Sequence, residues 1–278
     1  MAGHSEQVLS QGSVPTTTNV QGKSKKKQTA WIGWVLPALL FLIWEAVGRL
    51  GLVPSYQLPP PSTILTTISE MATTGELWPH ISATVIRVAL GFAIGTVLAT
   101  VLGAIVGYFK QTEQAVDPLI QGFRSIPSLA WVPLFILWLG IGESSKVLLI
   151  AVGVFFPVYL NVVSGIHSVD RKLLEVGKLY ELSSLETIKR IILPAALPSF
   201  FVGLRSGLGL GWMFVVAAEL MGASQGLGFL LVFGQNMSSP DIVIGSILLF
   251  AIIGKVTDAL IQIVEKMSLK WQDSMRNV

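Results

Sequence analysis

Long apolar stretches alternate with short polar ones along the chain. A helix of about 20 apolar residues crosses a bilayer. Six stretches reach that length, at residues 31–50, 82–108, 116–140, 146–166, 194–220 and 243–265. The third contains Arg124, Pro127 and Pro133, so we expect a broken or kinked helix whose freed backbone groups face protein rather than lipid. The pattern predicts an all-α membrane protein with six transmembrane helices.

The polar stretch between the fourth and fifth spans contains good helix-forming residues. We expect one short helix around residues 170–181 and a second over about 184–191. Ser183 lies three residues before Glu186, which is the spacing of a capping box. Pro194 then falls in the first turn of the fifth span, where proline is tolerated.

The placement of lysine and arginine predicts the orientation. A basic run at 23–27 precedes the first span, and Lys110 follows the second. The polar stretch contributes Arg171, Lys172, Lys178, Lys189 and Arg190, and the sixth span is followed by Lys266, Lys270 and Arg276. The opposite side has only Arg49 and Lys146. Cytoplasmic loops are enriched in positive charge, so both termini and the polar stretch are expected in the cytoplasm.

Composition agrees with this membrane assignment. Of the 278 residues, 52% are hydrophobic and 13% are charged, whereas soluble domains have about 25% charged residues. Residues 1–30 are polar and basic, which predicts a disordered cytoplasmic tail. Residues 31–272 form the predicted transmembrane domain, and 273–278 form a cytoplasmic C-terminal tail. The chain has no cysteine, and its three histidines show no metal-ligand spacing, so we expect no metal site.

Glycines recur at every fourth position in two spans. Gly91 and Gly95, and later Gly103 and Gly107, have this spacing in the second span. The fifth span repeats it at Gly203, Gly207 and Gly211. Stripes of small residues let helices approach closely in lipid. We expect packing within the chain, with dimerisation through one stripe as the alternative.

Ionisable residues inside the spans each need a reason, because burying them in lipid is costly. Glu45 with Arg49, and Lys255 with Asp258, have the spacing of local helix pairs. Arg87, Arg124, Arg205 and Glu219 have no such neighbour. The arginines either make a pathway electropositive for an anion or pair across helices and brace carbonyls. Both interpretations stay open at this point.

The polar stretch resembles the signature of permease subunits of binding-protein-dependent ABC importers. That signature is Glu-Ala-Ala, three residues, Gly, nine residues, then Ile-x-Leu-Pro. Here the matching residues are Glu175-Val176-Gly177, Glu181 and Ile191-Ile192-Leu193-Pro194, with the spacing kept throughout. Gly177 replaces the second alanine, and Glu181 stands where the family has glycine.

The resemblance implies the type I ABC importer permease fold. It also implies that residues 169–193 form a coupling segment whose first helix docks into a groove on a separate ATPase subunit. The coupling residues implied are Glu175, Val176, Gly177, Leu179, Tyr180, Glu181, Leu182, Ser183 and Pro194.

Further motifs are similar to the nitrate/sulfonate/taurine branch of these permeases, and most similar to aliphatic sulfonate permeases. They are LPPPSTI (58–64), RSIPSLAWVPLFILWLGIGESSK (124–146), FFPVYLNVVSGIHSVDRKLLEVG (155–177) and GLGLGWMFVVAAELMGASQGLG (207–228). The implied activity is import of a small organic anion by alternating access. An aliphatic sulfonate is the first expectation, with taurine, nitrate or a thiamine precursor as alternatives.

The chain lacks the ATP-binding motif G-x-x-x-x-G-K-[ST], since Gly254-Lys255 is followed by Val256. We therefore expect no enzyme activity and no cofactor on this chain, with ATP and magnesium bound by the partner ATPase. The resemblance implies two ATPase subunits, a second copy of this chain and a soluble periplasmic or lipid-anchored solute-binding protein. It places the complex in the lipid of a bacterial inner membrane, without nucleic acid.

Residues that line the translocation path are expected among in-span charges, aromatic side chains and a few others. The candidates are Arg87, Arg124, Trp131, Phe156, Tyr159, Asn161, Arg205, Trp212, Met213 and Glu219.

Three other functions stay open. An ion-driven secondary transporter would need embedded carboxylates and repeated halves, for which Glu219 alone is thin support. A membrane enzyme would need a polar catalytic cluster, and a coupling-only subunit would need a second membrane partner. We expect no catalytic residue on this chain.

Overall fold

The computed structural model describes residues 29–271, and within that range it leaves aside the side chains of residues 29–34 and 128. Most of the predicted N-terminal tail and the whole predicted C-terminal tail lie outside the described residues.

Every regular element in the described part of the chain is helical. The α-helices are α1 (Thr29–Arg49), α2 (Pro61–Thr74), α3 (Leu77–Tyr108), α4 (Lys110–Ser125), α5 (Val132–Leu139), α6 (Glu143–His167), α7 (Arg171–Leu179), α8 (Ser184–Thr187), α9 (Leu193–Leu220), α10 (Leu227–Asn236) and α11 (Pro240–Ser268). A 3₁₀ turn (Ser128–Trp131) precedes α5, and a π turn (Ile188–Ile192) joins α8 to α9. The predicted all-α fold class is confirmed.

Within residues 29–271, four continuous helical segments are long and apolar enough to cross a membrane. They are α3, α6, α11 and the stretch Ser184–Leu220, which contains α8, the π turn and α9. α4 and α5 are bent by 85° relative to each other, so the predicted break in the third apolar stretch is confirmed. α1 coincides with the first predicted span. The short helices α2 and α10 were not predicted.

α6 is the central helix of the bundle, with α3 on one side and α9 on the other. A Cβ built on Gly95 of α3 would lie 2.5 Å from the Ala151 carbonyl oxygen of α6. A Cβ on Gly207 of α9 would lie 3.0 Å from Cγ2 of Val158. Both glycine stripes therefore face α6, and the prediction that they pack within the chain is confirmed. Close backbone approach is the use that membrane bundles make of small residues.

Adding one methyl group at this crossing is expected to destabilise the fold. Gly95→Ala forces α3 away from a backbone carbonyl of α6 that cannot rotate aside, so we expect a loss of about 1–3 kcal/mol in the free energy of unfolding. Gly209→Ala is the matched control, because no atom lies within 4 Å of the added carbon. Unfolding in mixed detergent micelles measures both, and equal stability of the two variants would contradict the prediction.

The order of the helices defines two ends of the bundle. α7 and α8 lie between the end of α6 and the start of α9, which we call the α7 end. The starts of α3 and α6, the end of α9 and the start of α10 lie together at the opposite end, the α10 end. The implied coupling residues lie at the α7 end, and Arg87 and Glu219 lie at the α10 end.

Candidate functional site

α7 is an amphipathic helix whose apolar stripe points outward. Asp170 caps its start by accepting a hydrogen bond from the Lys172 N–H at 2.9 Å. Leu173, Val176 and Tyr180 follow the i, i+3, i+7 spacing of one helix face and are all exposed. Leu179 and Tyr180 at the tip are 83% and 76% exposed. Such a face buries itself only against another molecule.

The end of α7 is a Schellman motif. The Leu182 N–H donates to the Gly177 carbonyl, and the Glu181 N–H donates to the Lys178 carbonyl, both at 3.0 Å. This motif places one residue in the left-handed conformation, usually glycine. Here that residue is Glu181, with φ +53°. The turn keeps the shape that glycine would give it, although a glutamate occupies the position.

Glu181→Gly is expected to stabilise this turn. A side chain in the left-handed region costs about 1–2 kcal/mol, and the greater freedom of glycine in the unfolded chain offsets part of that gain. We expect hydrogen exchange at the Leu182 amide to slow by a few fold. Glu181→Ala is the control, since it removes the carboxylate and keeps the Cβ. Faster exchange in the glycine variant would contradict the prediction.

α8 begins with the predicted capping box. The Ser183 N–H donates to Glu186 Oε2 at 3.1 Å, and the Glu186 N–H donates to Ser183 Oγ at 3.4 Å. The predicted second short helix is confirmed, but it does not end before the fifth span. It continues through the π turn into α9, so that Ser184–Leu220 is one unbroken helical segment.

The π turn is explained by proline. Pro194 has no N–H and its ring crowds the carbonyl four residues earlier. The chain widens at this point, and the Leu193 N–H donates to the Ile188 carbonyl five residues back. α7 packs on this turn through buried Gly177, where an added Cβ would lie 2.8 Å from Cδ1 of Ile191. The implied coupling residues therefore divide into exposed ones at the tip of α7 and internal ones that join α7 to α9.

At the α10 end, Glu219 is the centre of a buried polar cluster. Glu219 is only 1% exposed. Arg87 Nη1 donates to Oε1 of Glu219 at 2.7 Å, and Thr84 Oγ1 donates to the same oxygen at 2.7 Å. Oε2 accepts from the Gly228 N–H at 2.7 Å. Arg87 also pairs with Glu143, at 2.5 and 2.7 Å, so one guanidinium joins three helices.

The loop between α9 and α10 wraps around this carboxylate. The Leu227 N–H donates to Thr84 Oγ1 at 2.8 Å, and the Gly226 N–H donates to Nδ1 of His80 at 3.1 Å. Gly226 has φ +134°, and a Cβ there would lie 2.5 Å from the Glu219 carboxylate. Only glycine fits. His80, Thr84 and Glu143 were missed by the sequence reasoning, because no local spacing links them to Glu219.

A second set of paired charges, which is only half-buried, lies between α9 and α11. Arg205 Nε donates to Asp258 at 2.9 Å, and Nη1 lies 3.6 Å from Glu265. In the predicted pair of Lys255 with Asp258, the ammonium nitrogen lies 4.0 Å from the carboxylate. Asp258 therefore interacts mainly with Arg205. Arg87 and Arg205 thus pair with carboxylates on other helices, as one of the two interpretations of the in-span arginines predicts.

The other predicted pathway residues are spread along the bundle. Tyr159 is buried, and its hydroxyl lies 3.4 Å from Asp117, while Asn161 donates to the Pro157 carbonyl within α6. Trp212 Nε1 donates to Thr257 at 2.9 Å. Met213 is exposed, whereas Phe156 and Trp131 are half-buried. Arg124 is exposed on α4. Within this set, Arg87 and Glu219 contact each other directly.

The family is decided by a match over most of the chain. A family described as binding-protein-dependent transport system inner membrane component matches residues 91–268. The chain belongs to this family of ABC-transporter permeases. A putative aliphatic sulfonates transport permease of Bacillus subtilis (strain 168) is 43% identical, over 95% of this chain and 96% of the relative. The taurine transport system permease of Escherichia coli (strain K12) is 32% identical, over 86% and 89%. The predicted sulfonate/taurine branch is confirmed.

A solved structure shares the fold of this permease chain. It is a chain of the MetNI methionine ABC transporter in an inward facing conformation, with a TM-score of 0.61 and 16% identity. The match covers 70% of this chain and 98% of that one. At this identity the likeness concerns the fold alone, and it agrees with the predicted permease fold.

Proposed function

We propose that this chain is the transmembrane subunit of an ATP-driven importer that carries an aliphatic sulfonate into the cytoplasm by alternating access. The observation that carries the proposal is the exposed apolar stripe of α7. Apolar anchors at i, i+3 and i+7 are how an amphipathic helix occupies a groove on a partner. The partner is a separate ATPase subunit, which binds ATP and magnesium.

The geometry behind α7 supports a mechanical role. Gly177 lets α7 rest directly on the π turn at Ile191. That turn is the start of the unbroken segment Ser184–Leu220, so a displacement of α7 is passed to a helix that runs to the α10 end. There the Gly228 N–H and the Glu219 carboxylate tie α9 to α10. ATP-driven motion at one end thereby reaches the other.

The full assembly comprises two copies of this chain, two ATPase subunits and one soluble or lipid-anchored solute-binding protein. It lies in the lipid of a bacterial inner membrane, with the α7 end and both termini in the cytoplasm. The positive charge of the polar stretch supports this orientation. The solute-binding protein then delivers its load to the α10 end.

The names of the two relatives support a sulfonate as the solute. One is named for aliphatic sulfonates and the other for taurine, which is itself an aminosulfonate. Taurine, nitrate and a thiamine precursor are the remaining candidates for the load.

ATP hydrolysis in proteoliposomes tests the proposal. The chain is reconstituted with the ATPase and binding protein encoded beside it, and the binding protein is empty or loaded with an alkanesulfonate, taurine, nitrate or a thiamine precursor. We expect the alkanesulfonate-loaded protein to stimulate ATP hydrolysis. We also expect that solute to accumulate inside right-side-out proteoliposomes, which have the binding protein outside and the ATPase with ATP inside, only when magnesium is present in the lumen. If the binding protein stimulates ATP hydrolysis only when it carries another of these compounds, that compound is the solute and the aliphatic sulfonate is not. Solute movement without the ATPase would favour an ion-driven transporter and overturn the proposal.

A further inference from the structure

The stretch between α3 and α6 crosses the bundle from one end to the other. α3 finishes at the α7 end and α6 starts at the α10 end, so residues 109–142 connect the two ends. α4 and α5 supply the helices of this crossing, with a bend of 85° between them. Arg124 lies in the last turn of α4, near the middle of the crossing. Interrupted helices at membrane depth are tolerated where they line a cavity or lie within protein.

The surface of α4 is divided into three sectors. One faces the core, where Val116 and Ile120 pack against the central cluster. A second is exposed and apolar or small, with Ala115, Leu119 and Gly122. The third is polar, with half-buried Asp117 at its inner edge, and its exposed members are Lys110, Gln111, Gln114, Gln121, Arg124 and Ser125. A helix that met lipid over its whole outer surface would place the polar side chains of the third sector against lipid, which is costly.

Arg124 differs from the other arginines in the spans. Arg87 and Arg205 lie against carboxylates. In the part of the chain that the structure describes, the hydrogen-bond partner of Arg124 is the neutral Gln121 amide oxygen, at 3.2 Å. A guanidinium has five N–H donors, so most remain free here. A charge in this position is stable when it faces a water-filled cavity rather than lipid.

We propose that the polar face of α4 is one wall of the water-filled translocation path and that Arg124 attracts the sulfonate group there. The planar guanidinium fork fits an oxyanion, and the glutamine amides and the Ser125 hydroxyl supply neutral donors. Lys110 and Arg124 make this side of α4 cationic, and the half-buried carboxylate of Asp117 lies on the same side. Cations offset by a nearby carboxylate favour entry of an anion without holding it, as a conducting site requires. The identity of the anion rests on the proposed function, whereas the water-filled wall does not.

Single cysteines test the wall, because the chain has no cysteine of its own. Gln114→Cys and Gln121→Cys probe the polar face, and the neighbours Ala115→Cys and Leu119→Cys are the matched controls. Each full-length variant is reconstituted with its ATPase and treated with membrane-impermeant methanethiosulfonate reagents carrying an ethylsulfonate or an ethyltrimethylammonium group. We expect at least tenfold faster modification on the polar face. Equal rates on the two faces, or protection of both, would overturn the proposal.

Charge at Arg124 is tested in the Gln121→Cys background. Arg124→Gln is expected to lower the ratio of the anionic to the cationic reagent rate by about tenfold, because a nearby positive charge acts oppositely on the two reagents. Arg124→Lys should restore most of the ratio. Arg49→Gln, at the far end of α1, should leave it unchanged. A ratio that does not respond to Arg124→Gln would overturn the role of Arg124.

The same proteoliposomes separate this proposal from the proposed function. Stimulation of ATP hydrolysis by the loaded binding protein is measured beside the modification rates. Normal stimulation with equal modification of both faces refutes the wall while the importer stands. Fast modification of the polar face without stimulation by any load supports the wall and refutes the importer.

Discussion

Arg87→Ala is expected to lower the free energy of unfolding by about 3–5 kcal/mol, the cost of leaving a buried charge without its partner. Glu219 is fully enclosed, with 0% of its side chain exposed. Removing the guanidinium leaves that carboxylate with the Thr84 hydroxyl and the Gly228 N–H alone. The loop at Gln225, whose carbonyl accepts from Arg87 at 2.6 Å, loses one of its hydrogen bonds as well. Denaturation in mixed micelles measures the loss.

Two comparisons make this result specific. Arg49→Ala removes an arginine that is 69% exposed beside Glu45, and exposed pairs contribute about 0.2–1 kcal/mol. The double variant Arg87→Met with Glu219→Met leaves no uncompensated charge, so its stability should lie closer to that of the unchanged chain than the single variant does. If Arg87→Ala cost no more than Arg49→Ala, the cluster would not be the anchor described here.

Leu179→Asp is expected to weaken binding of the ATPase subunit by about 30-fold or more, since a central interface anchor contributes at least 2 kcal/mol. Leu179 is 83% exposed at the tip of α7, so the substitution should leave folding within about 0.5 kcal/mol of the unchanged chain. In the complex, the new carboxylate would enter an apolar groove without a partner. Titration of the purified ATPase onto the permease in nanodiscs measures the affinity.

Leu52→Asp is the matched control for that measurement. Leu52 is 70% exposed and lies in the loop between α1 and α2, away from α7. It should leave ATPase affinity unchanged. If the Leu179→Asp variant bound the ATPase with full affinity, the tip of α7 would not be part of the contact. The internal residues of the segment would then remain as the connection.

The predictable parts of this structure depend on residues close together in the chain. Hydropathy predicted the long spans, because a helix of about 20 apolar residues is a local requirement of the bilayer. Pro127 and Pro133 predicted the break in the third span, and Ser183 with Glu186 predicted the start of α8. α2 and α10 were missed because they are too short and too weakly patterned to stand out from loops.

The polar cluster could not be derived in the same way. Arg87 and Glu219 are 132 residues apart, and Arg87 and Glu143 are 56 apart. Whether they meet depends on how far α3 and α9 slide along α6, and the glycine contacts fix that register. From the sequence, Arg87 was also compatible with a free charge on the pathway.

The all-α class, the long apolar spans, the capping of α8 and the spacing of the coupling signature can be read from the chain, because each depends on residues that are near neighbours. Which charges pair, which side of α7 is exposed and how the loop at Gly226 encloses Glu219 depend on contacts between distant residues. Those features are set by the packing of helices against α6, where backbone contacts at Gly95 and Gly207 place distant side chains in register.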